Sequence, residues 1–276
     1  MFLAEPARSP GELHFRLLGV PVRVHPWFWI VALLLGMSFK DGRLLVIWVL
    51  CMFLSILVHE FGHVLAFRRF GSRARVVLYA FGGLAIADRD NAHADWGRTW
   101  RPDGYDERNT DGWRHVMISF AGPLAGFVLA GLLVGGLFAA DRTCPFVFGP
   151  WQFSLGGSRP IENERLLNTM YFLLQLNIYW GLMNLLPVYP LDGGQIAREL
   201  LSMADSRRGV RRSLVLSIAT GAVVAVGVLI LQRGEQLLLA LMFGSLAYSS
   251  FQTLKAYDAS AGYGGFGGGR GDDRDW

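Results

Sequence analysis

The chain predicts an all-α polytopic membrane protein of about six transmembrane helices, with a short re-entrant β-hairpin and an N-terminal surface hairpin. Three observations lead there. Hydrophobic residues make up 52% of 276 positions and charged residues 17%, a balance too apolar for an ordinary soluble domain. Six segments, near residues 24–39, 44–67, 115–139, 167–189, 213–232 and 235–254, reach or approach the roughly 20 residues needed to cross a bilayer. With six crossings, 20 of the 26 Lys and Arg fall on one side, and the positive-inside rule makes that side, with both termini, cytoplasmic.

The elements follow in order. Residues 13–24 alternate apolar and polar about Gly19, a hairpin signal at the membrane surface. The first 25 residues carry scattered charge and no apolar core, so no cleavable signal is expected. Pro26 opens the first span and Gly36 interrupts its end. After the second span, residues 76–87 are apolar but too short to cross. Bisected by Gly82 and Gly83, they read as a re-entrant β-hairpin, tolerable at depth only inside protein or beside a wet cavity. Residues 88–113 form a polar loop, and 140–166 a loop on the opposite side. One membrane domain is expected over 1–258, followed by a disordered Gly-rich tail over 259–276.

The net charge of +4 reports this topology and attraction to anionic lipid, with no nucleic-acid site. Cys51 lies inside the second span and Cys144 in an opposite-side loop, so no disulfide is expected.

The second span contains His59-Glu60-Phe61-Gly62-His63. Residues four apart share a helix face, so both imidazoles can reach one metal ion, with Glu60 beside them as a general base. The alternative is two buried histidines that merely link helices through hydrogen bonds. It accounts poorly for two histidines and a glutamate in an apolar helix, where ionisable groups are costly. A catalytic zinc usually takes a third protein ligand. Arg69 stands where a third histidine of an extended motif would be, and nothing local supports His93 or His115. Glu162 and Glu164 fall on the far side. Asp192 ends the fourth span in Asn184-Leu-Leu-Pro187-Val-Tyr-Pro-Leu-Asp192-Gly193-Gly194, where the prolines break the helix and the glycines permit a tight turn. Alone, Asp192 would read as the N-cap of a helix over 195–204. Beside an intramembrane H-E-x-x-H, it reads as a ligand.

These two motifs together closely resemble the site-2 protease family of intramembrane zinc metalloproteases. Gly82-Gly83, Ala121-Gly122-Pro123 and Val24-His25-Pro26 are also similar to that family, the last to its compact bacterial branch. The resemblance covers about residues 13–200. It implies one Zn²⁺ held by His59, His63 and Asp192, with Glu60 as base. It also implies that Asn184 and Pro187 help hold an unwound substrate strand, while Gly82 and Gly83 lie in a segment able to pair with it. Where the family often carries Asn in the third span, this chain has Gly126, and Gly122-x-x-x-Gly126 reads as a small-residue helix contact. No PDZ or CBS module is seen.

The expected activity is hydrolysis of a peptide bond in or near the transmembrane segment of a single-span membrane protein, within the lipid bilayer. The expected location is a bacterial inner (plasma) membrane, with a regulatory membrane partner or a homo-oligomer as further candidates. Three other classes compete. A membrane oxygenase with a two-metal histidine cluster would need more histidines than this chain has in its helices. An inactive scaffold or chaperone would not need Glu60 and every proposed ligand. An ion transporter would spread its charges along a path instead of gathering them at one depth.

Overall fold

A computed structural model describes residues 9–80, 82–87, 109–149, 151–231 and 237–263. The chain folds as two compact units, residues 1–96 with 114–186, and residues 97–113 with 187–276.

The first unit opens with β1 (Leu13–Leu17) and β2 (Val20–Val24), paired antiparallel. Leu18 and Gly19 both take positive φ, the turn that matches strand twist in a tight hairpin. Arg68 ties this turn down by donating to the Leu18 carbonyl at 3.1 Å. Helix α1 (Pro26–Leu35) starts on the N-cap His25, whose Nδ1 accepts from the Trp27 N–H, with Pro26 preset for the first turn. It has ten residues, about 15 Å, so it cannot cross a bilayer alone, unlike the span expected over 24–39. Helix α2 (Gly42–Arg69) is capped by Asp41 and ends on Arg68 and Arg69, cations suited to a helix C-terminus.

Strands β3 (Ala74–Tyr79) and β4 (Gly82–Ala87) form the second hairpin. The two expected hairpins are one sheet, because β2 and β3 pair in parallel and give the order β1-β2-β3-β4. The sheet packs on α2 through a core of Val22, Val24, Val76, Leu78, Met52, Ile56 and Val64.

Helix α3 (Asn109–Ala139) contains Pro123, which has no N–H to give the Ser119 carbonyl one turn back. Residues 140–166, expected to be a loop, hold a second sheet. It is built from β5 (Arg142–Phe148), β6 (Trp151–Gly156) and β7 (Arg159–Pro160) in the order β6-β5-β7. The all-α expectation is corrected here: the protein is mostly helical with two small sheets. Helix α4 (Glu164–Asn184) starts on Asn163, whose Oδ1 accepts from the Arg165 and Leu166 N–H groups. It stops before Pro187, five residues short of the expected end at 189. It runs parallel to α2, with Cys51 near Thr169 and Ser55 bonded to Asn177.

The second unit holds α5 (Asp192–Ala204), α6 (Gly209–Leu231) and α7 (Leu237–Tyr263). Helices α6 and α7 pack closely where Gly221 meets Ala247 and the Phe243 carbonyl. Helix α7 takes in residues 259–263, assigned above to the tail; residues 264–276 and the loop at 88–108 lie outside the described residues.

Among the described residues, four helices are long and apolar enough to cross a membrane: Gly42–Arg69, Gly112–Ala139, Gly209–Ile230 and Leu237–Ala259. Helix α4 is long enough, at about 31 Å, but Asn168, Thr169, Gln175 and Asn177 lower its hydropathy. Gln175 donates to the Val147 carbonyl of β5 and the buried Asn177 to Ser55 of α2, so these two groups have protein partners.

Candidate metal centre

His59, Glu60 and His63 occupy one turn of α2 and are all buried. Their ligand atoms lie within 4.8 Å of one another, and among the described residues this is the group of histidine, cysteine and acidic side chains able to hold an ion. The two Nε2 atoms stand 3.3 Å apart with the rings nearly perpendicular. Two nitrogens each about 2.0–2.1 Å from a tetrahedral zinc would stand about 3.3–3.4 Å apart, so the pair fits that ion without rearrangement. His63 Nδ1 lies 2.7 Å from the Ile118 carbonyl. A carbonyl only accepts, so Nδ1 carries the proton and Nε2 presents its lone pair to the centre, the orienting contact expected of a metal-binding histidine.

Glycines wall this turn, each where a side chain would intrude. A Cβ on Gly122 of α3 would lie 2.8 Å from His59 Nε2 and closer still to His63 Nε2. A Cβ on Gly83 of β4 would lie 2.5 Å from the Glu60 carboxyl carbon and 2.6 Å from Oε1. Gly62, inside the motif, lets α2 rest on the Ala121 carbonyl. The sheet edge and α3 therefore touch the Glu60 carboxyl and the imidazoles directly. The small-residue reading of Gly122 and Gly126 holds in kind, but the contacts are to histidines and to Asn177. Asn177 donates to Ser55, one turn before His59. On α3, the Ser119 hydroxyl is buried with no partner among the described residues.

The other predicted residues are placed as follows. A Cβ on Gly82 would lie 3.6 Å from the Trp180 ring of α4, an ordinary contact. Asn184 closes α4, buried, its amide donating to the Trp180 carbonyl at 2.9 Å. Pro187 and Asp192 belong to the second unit. There Leu191, not Asp192, is the N-cap of α5; no side chain caps it, and Asp192 is the first helical residue. Gly194 is required, since a Cβ would strike the backbone of Val188 and Tyr189.

The sequence reading missed what fastens this loop. The Tyr189 N–H donates to Ser217 Oγ at 2.7 Å, Ser250 Oγ donates to the Tyr189 carbonyl at 3.2 Å, and the two hydroxyls are 2.8 Å apart. Both serines are buried in apolar helices, the one signal that could have singled them out. His115 is half-buried on α3, His93 lies outside the described residues, and Glu162 is exposed near Arg142.

Residues 47–228 match the model of Peptidase family M50. Zinc metalloprotease MJ0392 of Methanocaldococcus jannaschii is 24% identical over 192 residues, 68% of this chain and 44% of that protein. A Synechocystis sp. protein whose name also reads zinc metalloprotease is 25% identical, over 67% of this chain and 42% of its own length. The chain thus spans less than half the length of these curated relatives. Among solved structures, the site-2 protease from M. jannaschii matches with a TM-score of 0.51 at 20% identity, covering 88% of this chain and 95% of that one, a likeness of fold. The family match takes in well over half of the sequence, including His59, Glu60, His63 and Asp192, and the chain belongs to peptidase family M50.

Proposed function

We propose that this chain is an intramembrane zinc metalloprotease that hydrolyses a peptide bond in or near the transmembrane segment of a membrane protein. The observation that carries the reading is the buried pair of imidazole nitrogens 3.3 Å apart, with a carboxylate on the same turn. His59, His63 and Asp192 would hold the ion and Glu60 would act as base. Zinc, when bound, polarises a carbonyl and lowers the pKa of its water to about 7. Glu60 takes a proton from water and passes it to the leaving amine.

Strand β4 supplies the means to hold substrate. Among the described residues it is an edge strand, paired to β3 alone. Tyr79 and Gly82 close a two-residue turn, so they form a hydrogen-bonded pair. Gly83, Ala85 and Ala87 then turn their N–H and C=O groups to the open edge. A helix hides its amides, but an unwound segment added at this edge would lie next to Glu60, which touches Gly83. Asn184 and Pro187 are proposed to steady the same segment from the end of α4. The arginine and lysine distribution supports cytoplasmic termini in a plasma membrane, with a single-span protein as substrate and the bilayer as medium.

Metal content and cleavage test this together. His59→Ala and Asp192→Ala should purify without zinc. Glu60→Gln should retain zinc and fail to cut single-span membrane proteins that wild type processes. Cleavage by Glu60→Gln, or full zinc in Asp192→Ala, would reject the assignment.

A further inference from the structure

We infer that the β5–β6 hairpin, which hydropathy assigns to an extramembrane loop, lies inside the lipid bilayer with Phe148, Trp151 and Phe153 against acyl chains. Its charge pattern comes first. Residues 143–158 hold no charged side chain, whereas both ends are marked by ion pairs, Arg159 to Asp141 and Arg142 to Glu162. A neutral stretch between charged ends complements hydrocarbon beneath headgroups.

The hairpin also runs back along the helices. Its register pairs Cys144 with Leu155, Phe146 with Phe153 and Phe148 with Trp151, which gathers the apolar residues on one face. At the base, Cys144 and Phe146 pack with Ala130 and Leu137 of α3 and Leu174 of α4. At the tip, Tyr179 accepts from the Gly149 N–H and donates to the Val147 carbonyl, both at 3.0 Å, and stacks on Phe148. Tyr179 is two residues past Asn177, which bonds Ser55 near the middle of the 28-residue α2. The tip therefore reaches the level at which α2 is halfway across. The outer aromatics are not covered by the chain: Phe148 is 42% exposed, Phe153 49% and Trp151 66%.

Strand β6 is an open edge, and lipid tolerates unpaired amides poorly. The register turns the backbone groups of Gln152 and Ser154 to that edge, and these residues also carry the polar side chains of the strand. The open backbone groups and the polar side chains thus belong to the same two residues, with the side chains on the face opposite Trp151 and Phe153. Water drawn in from the headgroup zone can serve them there, as it serves ionisable groups in spans.

The test needs neither zinc nor a substrate. Trp151→Cys and Phe153→Cys, each nitroxide-labelled, are reconstituted in phosphatidylcholine–phosphatidylglycerol vesicles. Arg159→Cys serves as the aqueous reference, and wild type, whose two cysteines are buried, as the unlabelled background. The expected result is a several-fold higher ratio of oxygen to nickel-chelate collisions at 151 and 153 than at 159. A ratio equal to that at 159 would place the hairpin in water. Low collision with both probes would mean that a second copy or another protein covers it. Either outcome overturns the inference.

Discussion

Replacing Gly122 by alanine should separate zinc binding from folding. The added methyl would sit 2.8 Å from His59 Nε2, whereas ordinary contact begins at 3.4 Å, and it would press harder on His63. One or both imidazoles must therefore withdraw by about 0.6 Å or more, several times the roughly 0.2 Å tolerance of a metal–ligand distance. Changing residues that only orient metal ligands typically weakens binding by about 10–100-fold. A methyl that displaces the ligands themselves should reach the upper end or beyond. Alanine's advantage over glycine in a helix interior, about 0.5–1 kcal/mol, offsets part of an overpacking cost of about 1–3 kcal/mol, so the metal-free variant should fold with only a modest loss of stability. The assay is zinc affinity by chelator competition beside thermal unfolding of the metal-free protein. Gly131→Ala on the same helix, where nothing lies within 4 Å, is the control. Wild-type zinc affinity in Gly122→Ala would refute the placement of α3 against the imidazoles.

Gly83→Ala should keep zinc but lower cleavage by about 100-fold or more, the scale of a lost general base, because its methyl would overlap the Glu60 carboxyl; turnover measured beside metal content checks this. Ser217→Ala should strip the Tyr189 N–H of its partner and cost about 1–3 kcal/mol, read as a lower denaturation midpoint, with zinc affinity falling as the loop before Asp192 loosens. The Ser9 N–H, followed by Arg23, His25 and His14, holds the Glu12 carboxyl below its ordinary pKa of 4.5. A depressed acid stabilises the fold above its unfolded pKa and loses that contribution as pH falls through the folded one. Amide exchange in β1 and β2 should therefore accelerate below about pH 4.5, and Glu12→Gln should remove that pH dependence.

How much was legible in advance depends on the distance over which each feature is encoded. The turn at Leu18-Gly19, the start of α1 at Pro26, and the pairing of His59 with His63 are local, fixed by backbone preference and helical spacing within a few residues. The end of α4 at Asn184 was legible too, because the prolines that follow forbid a continuing helix. The hairpin at 142–156 was not, since 16 neutral residues broken by Gly149 and Pro150 are too few to register as a span.

By itself, the sequence determined the apolar segments, their caps and the spacing that puts two imidazoles on one helix face, since each depends on bonds and periodicities inside a single segment. Only the tertiary structure decided that β2 lies beside β3, that the Ile118 carbonyl sets the His63 tautomer, and that Gly83 and Gly122 pack against Glu60 and the two imidazoles. Those contacts join residues up to about 60 positions apart. Short-range preference is silent about such neighbours, because close packing of whole elements, and not the conformation of any one, selects which atoms meet.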